Sequence, residues 1–519
     1  LTLNWQTKLK EAKTNKAKSA LLFVKHIAYR SAILLTFLFC HSAFGVNEIV
    51  PNATCKKAYR AILNLDSQKS KTYLDIEKKT NPDNLLPFIL ENYIDLSNAA
   101  ISGSTNDWQN LKLTSDARIL MLSAAKENPF KLYFSTELKM HKAIACFYLN
   151  ENVAAALSVN SAFKDIKRNH RKYPEFQANK KWLGLLAVVG GIIPDEYKVI
   201  KWLIGYTGTV KQGVESMTQL LESGNSDVLY DNAHPELLFF LSLINMQITE
   251  DENVARNYYR LLATTAYNTA LSKLNKILLA SFLGKNDDAI AEISILEKYS
   301  NSAFPYLEYL KGQCYLRKLD TKAIAIFQSF FEKFQGSHNK LATLQKIAWL
   351  ELIAGNQEKY KRNMLHIISN KNIASSENDK SAIKEAQGKR QPNVTMLRAR
   401  LLFDGGYYLK AIAELDAGNS ELNLRDRRDS SEYYYRRGRI FQKLNKFKDA
   451  EADYNLCLEI GKEFKDYYMA NAAFQMGKIN ASLHQKDKAQ AWFTYCQLMD
   501  FDEYRIAIKR KAKIALELL

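Results

Sequence analysis

Helix breakers are scarce in this chain. Nine prolines and 20 glycines among 519 residues leave room for long uninterrupted helices. Paired cysteines are missing too. Cys40, Cys55, Cys146, Cys314, Cys457 and Cys496 lie far apart with no CxxC, so neither a disulfide framework nor a zinc site is indicated. There is no HExxH, no GxSxG, no Rossmann fingerprint and no phosphate loop, and the eight histidines are scattered. No catalytic residue, metal ligand or cofactor is therefore expected. Acidic residues fall short of basic ones, 55 against 73, which leaves a formal charge of +18. That surplus favours acidic partners or anionic surfaces by long-range attraction, or is simply a solvated basic exterior.

What is present is a period. Gly438, Ala450, Tyr454 and Cys457 recur 39 residues later as Gly477, Ala489, Phe493 and Cys496. In each copy the second small residue follows the first by 12 positions and the aromatic follows by 16. Small residues at that spacing let two amphipathic helices cross closely, and a unit this short must stack on neighbours to bury its apolar stripe. The stretch Tyr433–Cys496 resembles the tetratricopeptide repeat (TPR), which implies an all-α, TPR-like α-solenoid of stacked antiparallel helix pairs.

The pattern extends in both directions. Ala399, Gly406, Ala411 and Leu415 open the C-terminal block, and Ala411, Ala450 and Ala489 are evenly spaced. Gly284, Ala289, Gly312, Tyr315, Ala323 and Phe327 mark central units, with Ala289 and Ala323 separated by 34, and Trp349 to Tyr360 forms a poorer copy. The polar stretch 375–395 reads as a loop, linker or frayed helix between two blocks, and Tyr504–Leu519 as a capping helix with Lys509, Arg510, Lys511 and Lys513 on its exposed side. The expected division is 1–45 leader, 46–270 N-terminal helical domain, 271–374 central repeats, 375–395 linker and 396–519 C-terminal block. Within the N-terminal part, 134–168 reads as a degenerate pair, with His141 as a core or surface histidine.

Residues 1–30 are basic, Ser31–Phe39 is apolar, and Ala43 and Gly45 fit a signal-peptidase site, so export with a mature start at Val46 is expected. The alternative is an uncleaved anchor. The apolar stretch Trp182–Tyr206 is broken by Gly190, Gly191 and Pro194 and carries charges, which excludes a simple membrane span. It reads as two short buried helices or as a membrane-surface hairpin. Together with Gly208–Leu221 it weakly resembles the tetratricopeptide repeat protein 39 family, a resemblance that transfers no site.

The runs Glu432–Ile440, Gln475–Ile479 and Lys509–Lys513 resemble exported TPR proteins of Bacteroidota. That resemblance implies a Gram-negative periplasm or cell envelope. Arg400, Arg439 and Lys478 follow equivalent small residues, so a basic column along the concave groove is expected, with Tyr435 and Phe474 beside it. Such a column suits an acidic peptide or a carboxylate end. Tyr435 and Arg439 depart from the family's carboxylate clamp, which has Lys and Asn there. The run Tyr433-Tyr434-Tyr435-Arg436-Arg437 mixes aromatic and basic residues, but its tyrosines suit the repeat core, and no nucleic acid is expected. The leading expectation is a non-enzymatic exported scaffold for a protein or peptide partner. The alternatives are a peripheral membrane protein and a hydrolase with a helical appendage.

Overall fold

Three repeat units, those of Gly312, Gly438 and Gly477, close where a glycine in the first helix meets an aromatic ring in the second. A Cβ at Gly438 would stand 2.8 Å from the Tyr454 ring, one at Gly477 2.4 Å from Phe493, and one at Gly312 2.5 Å from Phe327. The aromatic thus seats on the glycine of its own pair, and Ala411, Ala450 and Ala489 are all fully buried alongside. The computed structural model describes residues 47–193, 208–224, 227–231, 233–299, 304–388, 390–418 and 426–519, together with Trp202 and Gly205. The leader expected at 1–45 lies outside them. Among the described residues there are 24 helices and no strand.

Antiparallel pairs follow one another along the chain. In the C-terminal block Val394–Asp404 pairs with Tyr408–Ala417, Arg427–Lys443 with Phe447–Gly461, and Tyr467–Ser482 with Lys486–Leu498. The central pairs are Ala270–Phe282 with Asn286–Tyr299, Pro305–Arg317 with Lys322–Lys333, and Lys340–Ile353 with Gln357–Ser369. Pairing continues through the N-terminal part, from Ala53–Leu63 with Ser67–Thr80 to Pro129–Tyr148 with Asn152–Lys172. His141 is a core residue there, its Nδ1 3.0 Å from Asn92 Nδ2.

The stretch 375–395, expected as a loop, linker or frayed helix, contains the helix Glu377–Gln387. Its charged surface hides one buried carboxylate. Asp379 closes a capping box with Ser376, and it also accepts from the backbone N–H groups of Asn339 and Ala342 at 3.1 and 3.0 Å. It therefore satisfies orphan donors at the starts of two helices at once. The C-terminal helix Arg505–Leu518 does not turn all its cations outward. Lys513 is exposed, Lys509 and Arg510 are half-buried, and Lys511 reaches Glu250 at 2.5 Å. Ile514, 1% exposed, joins the N-terminal core.

That contact shows how tightly the solenoid coils. The π-helical turn Asn245–Thr249 leads to Glu250 and Glu252, which meet Lys478, Lys511 and Lys443 of the C-terminal block. Farther along, the Gly284 loop touches the Gly406 loop three pairs later. Gly406 has φ +81°, and a Cβ there would lie 1.8 Å from the Gly284 carbonyl oxygen, so only glycine fits. The chain from Ile49 to Leu519 forms one compact unit.

Of the apolar stretch 182–206, the helix Asn179–Ile192 is core, with Trp182, Leu186 and Val188 buried. It crosses Val210–Glu222 backbone to backbone, and a Cβ at Gly213 would sit 2.4 Å from the Gly184 oxygen. This half is therefore not a membrane-surface element. Most of 194–207 lies outside the described residues. No described helix is long and apolar enough to cross a membrane.

Candidate binding site on the inner face

First helices of successive pairs face inward, and their registers define the site. Positions three before and one after the small crossing residue point into the hollow. Around Gly312 these are Tyr309 and Gln313, around Ala348 they are Gln345 and Trp349, and the position after Ala399 is Arg400. Together with Glu377–Gln387 and the starts of the next two first helices, they wall a cavity of about 750 Å³. A smaller cavity of about 240 Å³ adjoins it, lined by Arg400, Tyr435, Arg439, Tyr467, Asn471 and Tyr504 among others.

The five groove residues expected from sequence separate here. Arg400, Tyr435 and Arg439 come together on the smaller cavity. The Tyr435 hydroxyl accepts from Arg439 Nη1 at 2.9 Å and Asn471 Nδ2 at 2.7 Å, and Arg439 lies 4.9 Å over the Phe403 ring. Phe474 is not on the groove. It is 4% exposed and packs 5.6 Å from Phe493, because the terminal helix covers that end of the stack. Lys478 is not free for a partner either, since its ammonium donates to the Glu250 carbonyl at 3.1 Å and stands 3.6 Å from its carboxylate. Burial opposes the charge on Glu250, but Lys478 and Lys511 outweigh it and hold the carboxyl below its usual range. The basic column therefore ends on an internal carboxylate.

The Tyr433–Arg437 run is likewise internal. Tyr433 and Tyr435 are buried, Arg436 is bound to Glu432, and Arg437 grips Asp453 with two bonds of 2.7 Å. Cys457 and Cys496 are fully buried, and the Cys496 thiol donates to the Ala470 carbonyl at 3.2 Å. Burial pushes both thiols up to about 12, which suits core packing rather than reactivity.

Sequence reasoning missed Arg317 and Lys346. Both line the large cavity, and Lys346 is 8% exposed. Arg317 lies four residues after the inward-facing Gln313, and Lys346 three before the inward-facing Trp349, so both share the inward face without occupying the position that yields Arg400.

Helix pairs, glycine–aromatic seats and inward-facing first helices give this chain a TPR-like helical-repeat fold. No protein-family model matches it, and no curated protein matches its sequence. The solved structure of a human IFIT1 dimer with m7Gppp-AAAA overlaps 80% of this chain and 92% of its own. At 14% identity and a TM-score of 0.35, that likeness is too loose to bear on partner or chemistry.

Proposed function

We propose that the chain is a non-enzymatic scaffold that holds an acidic protein or peptide segment on its inner face, in the envelope of a Gram-negative bacterium. The observation that carries this reading is the 750 Å³ cavity, walled by polar and aromatic side chains from the first helices of successive units. That size and lining suit recognition of a segment of chain. Placement in the envelope rests on the leader pattern of residues 1–45 and the resemblance noted above. A photo-crosslinking residue at Gln391, exposed on the cavity wall, is compared with one at Leu365, which is 66% exposed and does not line it. A discrete adduct from Gln391 and none from Leu365 is expected. Equal labelling from both positions would remove the inner-face reading.

A second reading, peripheral contact with a membrane surface, draws on Trp202, which is 77% exposed. Salt-sensitive flotation with anionic liposomes, lost in Trp202→Ser, is expected if it holds. Flotation that survives this substitution would dismiss it.

A further inference from the structure

Most charged side chains around the large cavity are spent on one another. Arg428 holds Asp466 with bonds of 2.6 and 2.5 Å, Arg390 meets Asp429, and Arg436 meets Glu432. Lys384 reaches Glu503 at 2.8 Å, and Lys380 reaches Glu377 at 2.6 Å.

Three cations stand outside this pattern. Lys346 is nine-tenths buried, and among the described residues its ammonium donates only to the Ala342 carbonyl of its own helix, at 3.2 Å. Arg317 has no carboxylate partner among the described residues. Arg400 lies 5.0 Å over the Trp349 ring and approaches Asp404 only to 4.0 Å, the outer limit of an ion pair.

The acidic groups nearest Lys346 are committed elsewhere. Asp379 caps two helix starts through backbone N–H groups. Glu385 accepts from Trp349 Nε1 at 2.9 Å and from Gln345 Nε2 at 2.6 Å. Burial works against the charge on Lys346, and Arg400 and Arg317 add to that. Its pKa falls to about 8 although Asp379 and Glu385 pull the other way. The rings of Tyr309 and Trp349 lie 5.9 and 5.8 Å from the ammonium. An unpaired ammonium beside two guanidiniums carries a desolvation cost that an entering anion removes. The planar guanidinium fork matches carboxylate and phosphate oxygens.

We propose that Arg317, Lys346 and Arg400 form a receptor for a compact oxyanion, a carboxylate or phosphate group, that the bound partner carries into the cavity. This rests on the inner-face reading above, and the two can fail separately. Crosslinks at Gln391 without anion binding would overturn the receptor alone. Anion binding without those crosslinks would overturn the partner's place.

The test is a calorimetric titration of the full chain with sodium sulfate, whose charge does not change with pH near neutrality, and with an acetylated triglutamate amide. Lys346→Met and Arg400→Gln each bind sulfate about tenfold more weakly or worse. Lys361→Gln, on an exposed site away from the cavity, binds as the parent does. Thermal melting without ligand confirms that each variant is folded. Sulfate affinity in the parent falls as pH climbs past about 8, where Lys346 loses its proton. Lys346→Arg keeps the affinity and loses this fall. Tighter binding of the triglutamate amide than of sulfate supports an anion borne by the partner; sulfate binding with no peptide binding overturns that part. Sulfate binding that is unchanged in Lys346→Met, or absent altogether, overturns the receptor.

Discussion

Two buried lysines in this molecule have opposite surroundings. Lys181, in the N-terminal core, is 3% exposed and lies 2.5 Å from Glu137 and 3.0 Å from Glu236. Tyr59 donates to Glu236 at 3.2 Å, Trp182 donates to Glu137 at 3.1 Å, and the Tyr93 hydroxyl also meets Glu137. Burial opposes its charge, but the two carboxylates outweigh burial and raise its pKa well above the usual lysine value. Lys346 is buried almost as deeply, meets no carboxylate directly, and its pKa drops to about 8. Burial of charge is common to both. The presence or absence of a partner separates a sealed structural network from a site that lacks something.

That contrast can be broken by mutation, and the largest effect belongs to the sealed side. Lys181→Met leaves Glu137 and Glu236 buried without a counter-charge, and urea denaturation should show a loss of about 3–5 kcal/mol. Next comes the coil that shapes the open side. Gly406→Ala forces a side chain into a left-handed backbone against the Gly284 carbonyl, with an expected cost of about 2–4 kcal/mol in the same assay. Lys346→Met should have the opposite sign and stabilise the unliganded chain by about 1–3 kcal/mol at neutral pH, because it removes a charge that the fold does not satisfy.

Smallest is Glu250→Gln, which weakens the closure onto Lys478 and Lys511 for a loss of about 1 kcal/mol. The folded-state pKa of Glu250 is depressed. Its contribution is therefore complete above the ordinary glutamate value and is lost on acidification through the folded value. The parent's stability should accordingly fall more steeply on acidification than the variant's, and the gap between the two curves should close at low pH.

The repeats were readable because close helix crossing demands small residues, and Gly438 and Gly477 announce it with an aromatic 16 residues on, Gly312 with one 15 residues on. Pairing in the N-terminal part was readable only at 134–168, since the crossing of Gly184 over Gly213 follows no repeated spacing. The helix Glu377–Gln387 was legible only as a loop or frayed helix, because eight of its eleven residues are polar and the buried Asp379 that anchors it reads like the rest. Closure was invisible for a different reason. Lys478 and Glu250 are 228 residues apart, and nothing local encodes their contact. The expected groove column therefore had the right register for Arg400 and Arg439 and the wrong end at Lys478.

The most direct measurement is the stability difference between Lys346→Met and the parent, followed by urea denaturation from about pH 6 to about pH 10 without added anions. A lysine with a lowered folded-state pKa penalises folding below about 8, and the penalty lifts as pH rises toward the unfolded value. The variant should be the more stable protein at neutral pH, and its advantage should shrink as pH climbs through 8. A parent that is more stable than the variant throughout would mean that Lys346 already has its partner inside the fold.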